Sequence, residues 1–219
     1  SNMTTVSSNS KTTVSVVVKK SSDMKKKNDL DGHSVGTLKT IGTVGSKIVL
    51  KELNKDGIQL NQTKYDSMTD MLAAFYNGDV DSIIINESSR DQITDIEEYA
   101  EFDKNTRVVY QTSYEVENTD KANAVSNITT TPFNVLISGS DTRGGFDENG
   151  RSDVIMVATV NPKTNTILLT SIPRDFYVET ACDAADGCQQ GALDKITHTG
   201  IHGTNTTKRT VEKLLGIEI

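Results

Sequence analysis

Asn134-Val-Leu-Ile-Ser-Gly-Ser-Asp141-Thr-Arg143-Gly-Gly-Phe-Asp-Glu-Asn-Gly-Arg151-Ser-Asp153-Val-Ile-Met-Val-Ala-Thr-Val160, followed by Leu168-Leu-Thr-Ser-Ile-Pro-Arg174-Asp175, decides how this chain folds. Phe133 to Ser138, Val154 to Val160 and Thr166 to Ile172 are aliphatic and β-branched runs bounded by Gly, Pro, Asn or Asp, so each reads as a buried strand. Only Asn161-Pro-Lys-Thr-Asn165 separates the last two, which predicts an antiparallel hairpin. If the first strand is antiparallel to the second, Asp141, Arg143, Arg151, Asp153, Arg174 and Asp175 all fall on one rim of one sheet. The loop joining the first two strands carries Gly144, Gly145 and Gly150, which suits a backbone that approaches a ligand closely.

Two readings of that rim stand side by side. Carboxylates beside arginines can form an oxygen-rich site for a hard cation next to a phosphate clamp, because Mg²⁺ takes one or two carboxylates plus phosphate oxygens and guanidinium forks match phosphate. Equally, Asp141 with Arg143 and Arg151 with Asp153 can be solvated ion pairs that hold a turn.

The series Asn134 to Asp141, Arg151-Ser-Asp153, Ser171-Ile-Pro-Arg174-Asp175 and Asp194-Lys195-Ile196-Thr-His198 resembles the LytR-CpsA-Psr family of cell-envelope proteins. The resemblance implies an αβα-layered domain with a mixed sheet on the extracytoplasmic face of a bacterial membrane, held by an N-terminal anchor. Its activity would be a phosphotransferase reaction that moves a polyprenyl-pyrophosphate-linked glycopolymer, such as teichoic acid or capsular polysaccharide, onto peptidoglycan. Carried over, Asp141 and Asp153 would hold Mg²⁺ or Mn²⁺, and Arg151, Arg174 and Lys195 would grip the pyrophosphate, with Arg143 beside them. Asp141, Arg151 and Asp153 are then the candidate catalytic residues. The family's domain continues beyond Ile219, so this stretch reads as its N-terminal part, expected to be inactive or weakly active alone. The competing reading is a non-catalytic module that binds cell wall or a lipid carrier.

Composition narrows the classes further. The 219 residues carry a formal charge of −7, which opposes non-specific binding to nucleic acid or an anionic membrane and leaves transcriptional attenuation without a basic surface. Ser1-Asn2-Met3 looks like an expression scar and is set aside. No run reaches the roughly 18 apolar residues of a spanning helix. The two cysteines, in Cys182-Asp-Ala-Ala-Asp-Gly-Cys188, can close a small disulfide loop in an oxidising compartment, or stay free. Zinc would need more ligands.

Residues 14–116 alternate strand and helix and read as an accessory α/β domain with a mostly parallel sheet, 117–131 as an Asn- and Thr-rich linker, and 132–219 as the glycopolymer-transfer domain. In the first domain strands are expected at 14–18, 35–41, 58–60, 80–85 and 107–116. Helices are expected after Gly42-Thr-Val-Gly-Ser46, over Met68, Met71, Leu72 and Phe75 up to Gly78, and over Ile93, Ile96 and Ala100. Thr43 or Ser46 would cap the first of these, although their loop could also offer N–H groups to an anion. Asp29-Leu-Asp-Gly-His-Ser-Val-Gly36 and Met71 to Asp81 resemble one lobe of a bacterial solute-binding protein.

His198 and His202 stand at i and i+4, a spacing compatible with a metal pair, but no Glu lies between them and Gly200 and Gly203 weaken a helix there. His198 reads instead as a hydrogen-bonding residue near the site. A final helix is expected over 206–215 with Val211, Leu214 and Leu215 facing the core, and Ile217-Glu-Ile219 as the start of a strand. A polyprenyl tail would need an apolar channel, for which Leu136, Met156 and Leu169 are candidates, as they equally are for an ordinary core.

Overall fold

The computed structural model describes residues 10–116, 127–140, 150–182 and 188–219. It divides into a unit spanning Lys11–Tyr114 and a second that contains Glu115–Ile219. Asp141, Arg143 and most of the expected linker lie outside the described residues.

The first unit is built on a five-stranded sheet of β1 (Ser10–Lys19), β2 (Ser34–Leu38), β3 (Asn61–Tyr65), β4 (Ser82–Asn86) and β5 (Thr106–Val116), in the order β3-β2-β4-β1-β5. β3, β2 and β4 are mutually parallel, and β1 joins β4 antiparallel with Val16 opposite Ile84. Because side chains alternate across a strand, Val14, Val16 and Val18 enter one core with Val49 and Leu53 of α1 (Thr43–Lys55). Val17, Ile83 and Ile85 enter the other with Met71, Leu72 and Phe75 of α2 (Met68–Asn77). The sheet is thus buried on both faces, which is why β4 reads as a continuous aliphatic run.

Local chemistry sets the ends. Ser67 Oγ accepts the Asp70 N–H at 3.1 Å to start α2, and Gly78 at φ +85° closes it in a conformation that L side chains avoid. α1 begins differently from expectation: Gly42 occupies its N-cap and no side chain caps it, so neither Thr43 nor Ser46 has that role.

Two other expectations fail here. The strand sought at 58–60 lies at Asn61–Tyr65, an edge strand so exposed that it carries no apolar alternation, while Ile58 packs into the core. The helix expected over Ile93, Ile96 and Ala100 is broken into α3 (Arg90–Thr94), a 3₁₀ turn at Glu97–Tyr99 and α4 (Phe102–Asn105). Thr94 Oγ1 donates back to Arg90 O and Asp91 O, the local competition that makes Thr and Asp poor helix interiors.

In the second unit β6 (Phe133–Ser140), β7 (Ser152–Asn161) and β8 (Thr166–Ser171) form the expected antiparallel meander, with Leu136 opposite Val157 and Val157 opposite Thr170. The register shifts between Gly139 and Ser140, so the β6–β7 ladder is bulged beside Asp153. β9 (Tyr177–Glu179) pairs with β10 (Leu193–Lys195), a 3₁₀ segment runs over Ile196–His202, and α5 (Thr204–Leu215) follows. Ile155, Val157, Ile172, Val178, Ile196 and Val211 make the core on one face of the sheet. On the other, Val135, Ile137, Val154, Ile167 and Leu169 stay exposed.

Leu214 and Leu215 do not face that core; α5 buries Thr206, Thr207, Thr210 and Val211. Threonine serves because its methyl packs while its hydroxyl is satisfied internally, as in Thr210 Oγ1 to Thr206 O at 2.7 Å. Ile217 and Ile219 pack against the core without forming a strand. Cys182 and Cys188 are joined in a disulfide.

Candidate functional site

The end of the meander gathers charge. Asp153, on the bulged start of β7, lies in ion contact with Arg174 Nη1, three residues beyond the end of β8. The hairpin makes this possible by returning β8 to the edge where β7 begins, and Ile172 N–H to Ile155 O at 2.9 Å extends the ladder toward Arg174. Asp153 Oδ1 is buried, and the Arg174 guanidinium lies against it.

The segment after β10 is tied to the same rim. Thr197 N–H donates to Arg174 O at 3.0 Å and Ile196 N–H to Phe176 O at 2.8 Å, which holds Lys195 beside the Arg174-Asp175 turn. Lys195 Nζ lies 3.7 Å from Asp175 Oδ1, and both side chains are well exposed. Arg151 precedes β7 and has its own partner in the fold.

Gly200 fixes the spacing on the other side. A Cβ there would sit 2.5 Å from Gly150 O and 2.7 Å from Ser152 N, so only glycine lets the 3₁₀ segment lie this close to the backbone next to Arg151. Hydroxyls line the joint: Ser138 Oγ donates to Ser152 Oγ at 3.1 Å, Ser152 Oγ meets Thr207 Oγ1 at 3.3 Å, and Thr199 Oγ1 donates to Thr207 Oγ1 at 2.9 Å.

The histidines are not a metal pair. Ile196–His202 is a 3₁₀ segment with three residues per turn, so positions four apart no longer share a face. His198 Nδ1 instead meets Asp194 Oδ1 at 2.8 Å. Burial pushes the Asp194 carboxyl up, but the His198 hydrogen bond and charge outweigh it and leave the pKa below its ordinary value. No group of three or more His, Cys, Asp or Glu side chains gathers among the described residues. Nor do Leu136, Met156 and Leu169 line one channel, since the register puts Leu136 on the core face and Met156 and Leu169 on the other.

Strand order points to Asp153, Arg174 and Asp175 and the family resemblance adds Lys195; Asp153 contacts Arg174, and Lys195 lies near Asp175. Gly200 and the hydroxyl joint escape both, because close backbone approach between distant segments leaves no local pattern.

Residues 99–219, more than half of the chain, match the LytR_cpsA_psr family. The chain belongs to that family. Residues 3–132 match the family described as NMT1/THI5 like, in agreement with the resemblance of the first unit to a solute-binding lobe. Over 89 residues, 40% of the chain, it is 43% identical to the polyisoprenyl-teichoic acid–peptidoglycan teichoic acid transferase TagU of Bacillus subtilis strain 168, and spans 26% of that protein. It therefore spans about a quarter of the length of the curated relatives it matches. Among solved structures, the B. subtilis TagV crystal structure is 35% identical over 41% of this chain and 34% of that one, with a TM-score of 0.35. A second substrate binding domain of a putative amino acid ABC transporter from Streptococcus pneumoniae is 17% identical over 50% of this chain and 45% of that one, with a TM-score of 0.38.

Proposed function

We propose that this LytR_cpsA_psr chain contributes the pyrophosphate-binding rim of a phosphotransferase that moves a polyprenyl-pyrophosphate-linked cell-wall glycopolymer onto peptidoglycan. The observation that carries this reading is the ion contact of Asp153 with Arg174 at the end of the meander, next to Lys195 and Asp175, in a chain of this family. The name of the TagU relative, a teichoic acid transferase acting on peptidoglycan, supports teichoic acid as the glycopolymer class.

In the reaction an acceptor sugar hydroxyl attacks the phosphorus that bears the glycopolymer. The new P–O bond forms, the bond to the bridging pyrophosphate oxygen breaks, the hydroxyl loses its proton, and polyprenyl phosphate leaves. Negative charge builds on the phosphate oxygens, so the groups that matter are cations fixed in advance. Arg174, oriented by Asp153, and Lys195, beside Asp175, are such groups, with Arg151 at the same rim.

Asp153 fits one place in a divalent-cation shell, since Mg²⁺ needs only one or two carboxylates when phosphate supplies the remaining oxygens. Asp141 would be the second carboxylate. Bound Mg²⁺ or Mn²⁺ would supply charge neutralisation at the pyrophosphate. The Cys182–Cys188 disulfide supports an oxidising, extracytoplasmic setting, with the membrane reached through an N-terminal anchor.

The test is transfer from a polyprenyl-pyrophosphate-linked glycopolymer to peptidoglycan by the protein at the length of its relatives, with and without Mg²⁺. Asp153→Ala and Arg151→Ala should each abolish transfer, and Arg174→Ala should lower it about a hundredfold or more. Undiminished activity in the purified variants would remove the assignment. Binding of the lipid without transfer would favour a non-catalytic module.

A further inference from the structure

The junction at Lys195 holds an arrangement that the pyrophosphate reading does not itself require. Asp194 Oδ1 takes two hydrogen bonds, one from the Lys195 backbone N–H at 2.7 Å and one from His198 Nδ1 at 2.8 Å. An ionised carboxylate only accepts, so Nδ1 carries the proton and the imidazole is oriented. Lys195 is the residue at which extended chain becomes 3₁₀ helix, and no side chain caps that helix at its N-cap. The Asp194 carboxylate therefore bridges the residue before the turn, the turn itself and a residue one turn later.

The surroundings of this bridge are fixed independently. Asp194 is opposite Val178 and Lys195 opposite Tyr177 in the β9–β10 ladder, and Thr197 N–H reaches the carbonyl of Arg174. Gly200 packs against the backbone beside Arg151. His198 is thus enclosed by segments that carry the cations of the rim, with its side chain only 13% exposed, while the Lys195 side chain is 42% exposed. A half-buried carboxylate with two hydrogen bonds, next to an exposed cation, is the kind of support that preorganised binding of an anion calls for.

From this we infer that Asp194 and His198 form a positioning pair for Lys195: His198 orients the Asp194 carboxylate, which locks the Lys195 backbone so that its ammonium is presented to the pyrophosphate. The inference rests on the functional reading above, and assigns His198 a role through Lys195 rather than contact with the ligand.

The experiment measures binding of inorganic pyrophosphate with Mg²⁺ to the 219-residue chain by calorimetry, alongside exchange of the Lys195 amide proton followed by NMR. His198→Ala should weaken binding about tenfold and speed Lys195 amide exchange by a similar factor, the scale of one charge-assisted hydrogen bond. His198→Asn, whose Nδ2 replaces Nδ1 at the same distance from Cβ, should restore both. In a Lys195→Ala background, His198→Ala should cost no further affinity, because it acts through the missing ammonium.

If Lys195→Ala weakens binding but His198→Ala changes neither affinity nor exchange, the positioning pair is overturned and the pyrophosphate site stands. Additive losses in the double variant also overturn it, as they would show His198 acting elsewhere. If the unmodified chain does not bind pyrophosphate, the functional reading fails and takes the positioning role with it.

Discussion

The two units solve the same problem, a sheet that must be covered, in opposite ways. In Lys11–Tyr114 both faces of the sheet are buried, and its main internal charges neutralise one another: Arg90 grips Glu87 at 2.7 Å through Nε and Asp103 at 2.8 Å, while Ser15 donates to Glu87. From Glu115 onward the meander is covered on one face, its other face keeps Val135, Ile137 and Leu169 exposed, and cations stand exposed at its end. A unit with two cores gains its stability from apolar burial and pairs its part-buried Arg90 with Glu87 and Asp103. One with a single core and a hydroxyl joint leaves Arg174 and Lys195 exposed at its end. The difference bears on the site proposed above, since a fully satisfied ion network rigidifies while an exposed cation at a fixed rim can meet an anion.

The sharpest way to break this contrast is to truncate each core. Phe75→Ala, at a fully buried position, should destabilise the first unit by about 3–5 kcal/mol. Chemical denaturation followed by probes in each unit reads this, and an effect no larger than that of a surface substitution would contradict the two-core description. Gly200→Ala should come next, costing the second unit about 3 kcal/mol through overpacking against Gly150 and Ser152, and lowering its thermal midpoint. A neutral result would mean the 3₁₀ segment lies farther from β7 than the structure places it.

Acid probes the first unit through Glu87. Burial pushes Glu87 up, but hydrogen bonds from Arg90 and Ser15 prevail and hold it below its ordinary value of 4.5. Folded Glu87 therefore binds its proton less readily than unfolded Glu87. The stability it confers is complete above 4.5 and is lost as pH falls through the lower folded value. Glu87→Gln should cost about 2 kcal/mol at neutral pH and flatten the acid limb of the first unit's stability curve. An unchanged acid limb would show that the network is not what acid attacks. The smallest effect is expected on the exposed face: Leu169→Ser should change stability by no more than about 0.5 kcal/mol while raising solubility. A large loss, measured by denaturation, would show that this face is covered in solution.

Much of this architecture is legible in the chain's own residues. The meander, its hairpin and the meeting of Asp153 with Arg174 follow from three short aliphatic runs and one five-residue turn, because antiparallel pairing sends alternate strand ends to one edge. Other features are not legible, for physical reasons that differ. β3 falls outside the apolar run at 58–60 because an exposed edge strand need not be apolar, and the helix around Ile93 breaks where the Thr94 hydroxyl competes for backbone carbonyls. Leu214 and Leu215 are exposed because threonine methyls fill the buried face of α5 instead.

What sequence alone determined is the inventory: strands from alternation and β-branching, a family from four ordered motifs, and a chemistry from guanidinium groups near carboxylates. What only the tertiary structure decided is contact between segments distant in the chain. Gly200 against Gly150 and Thr199 on Thr207 depend on how strands and helices pack in three dimensions. Local propensity acts over a few residues, whereas these distances are set by whichever packing excludes water from the whole core.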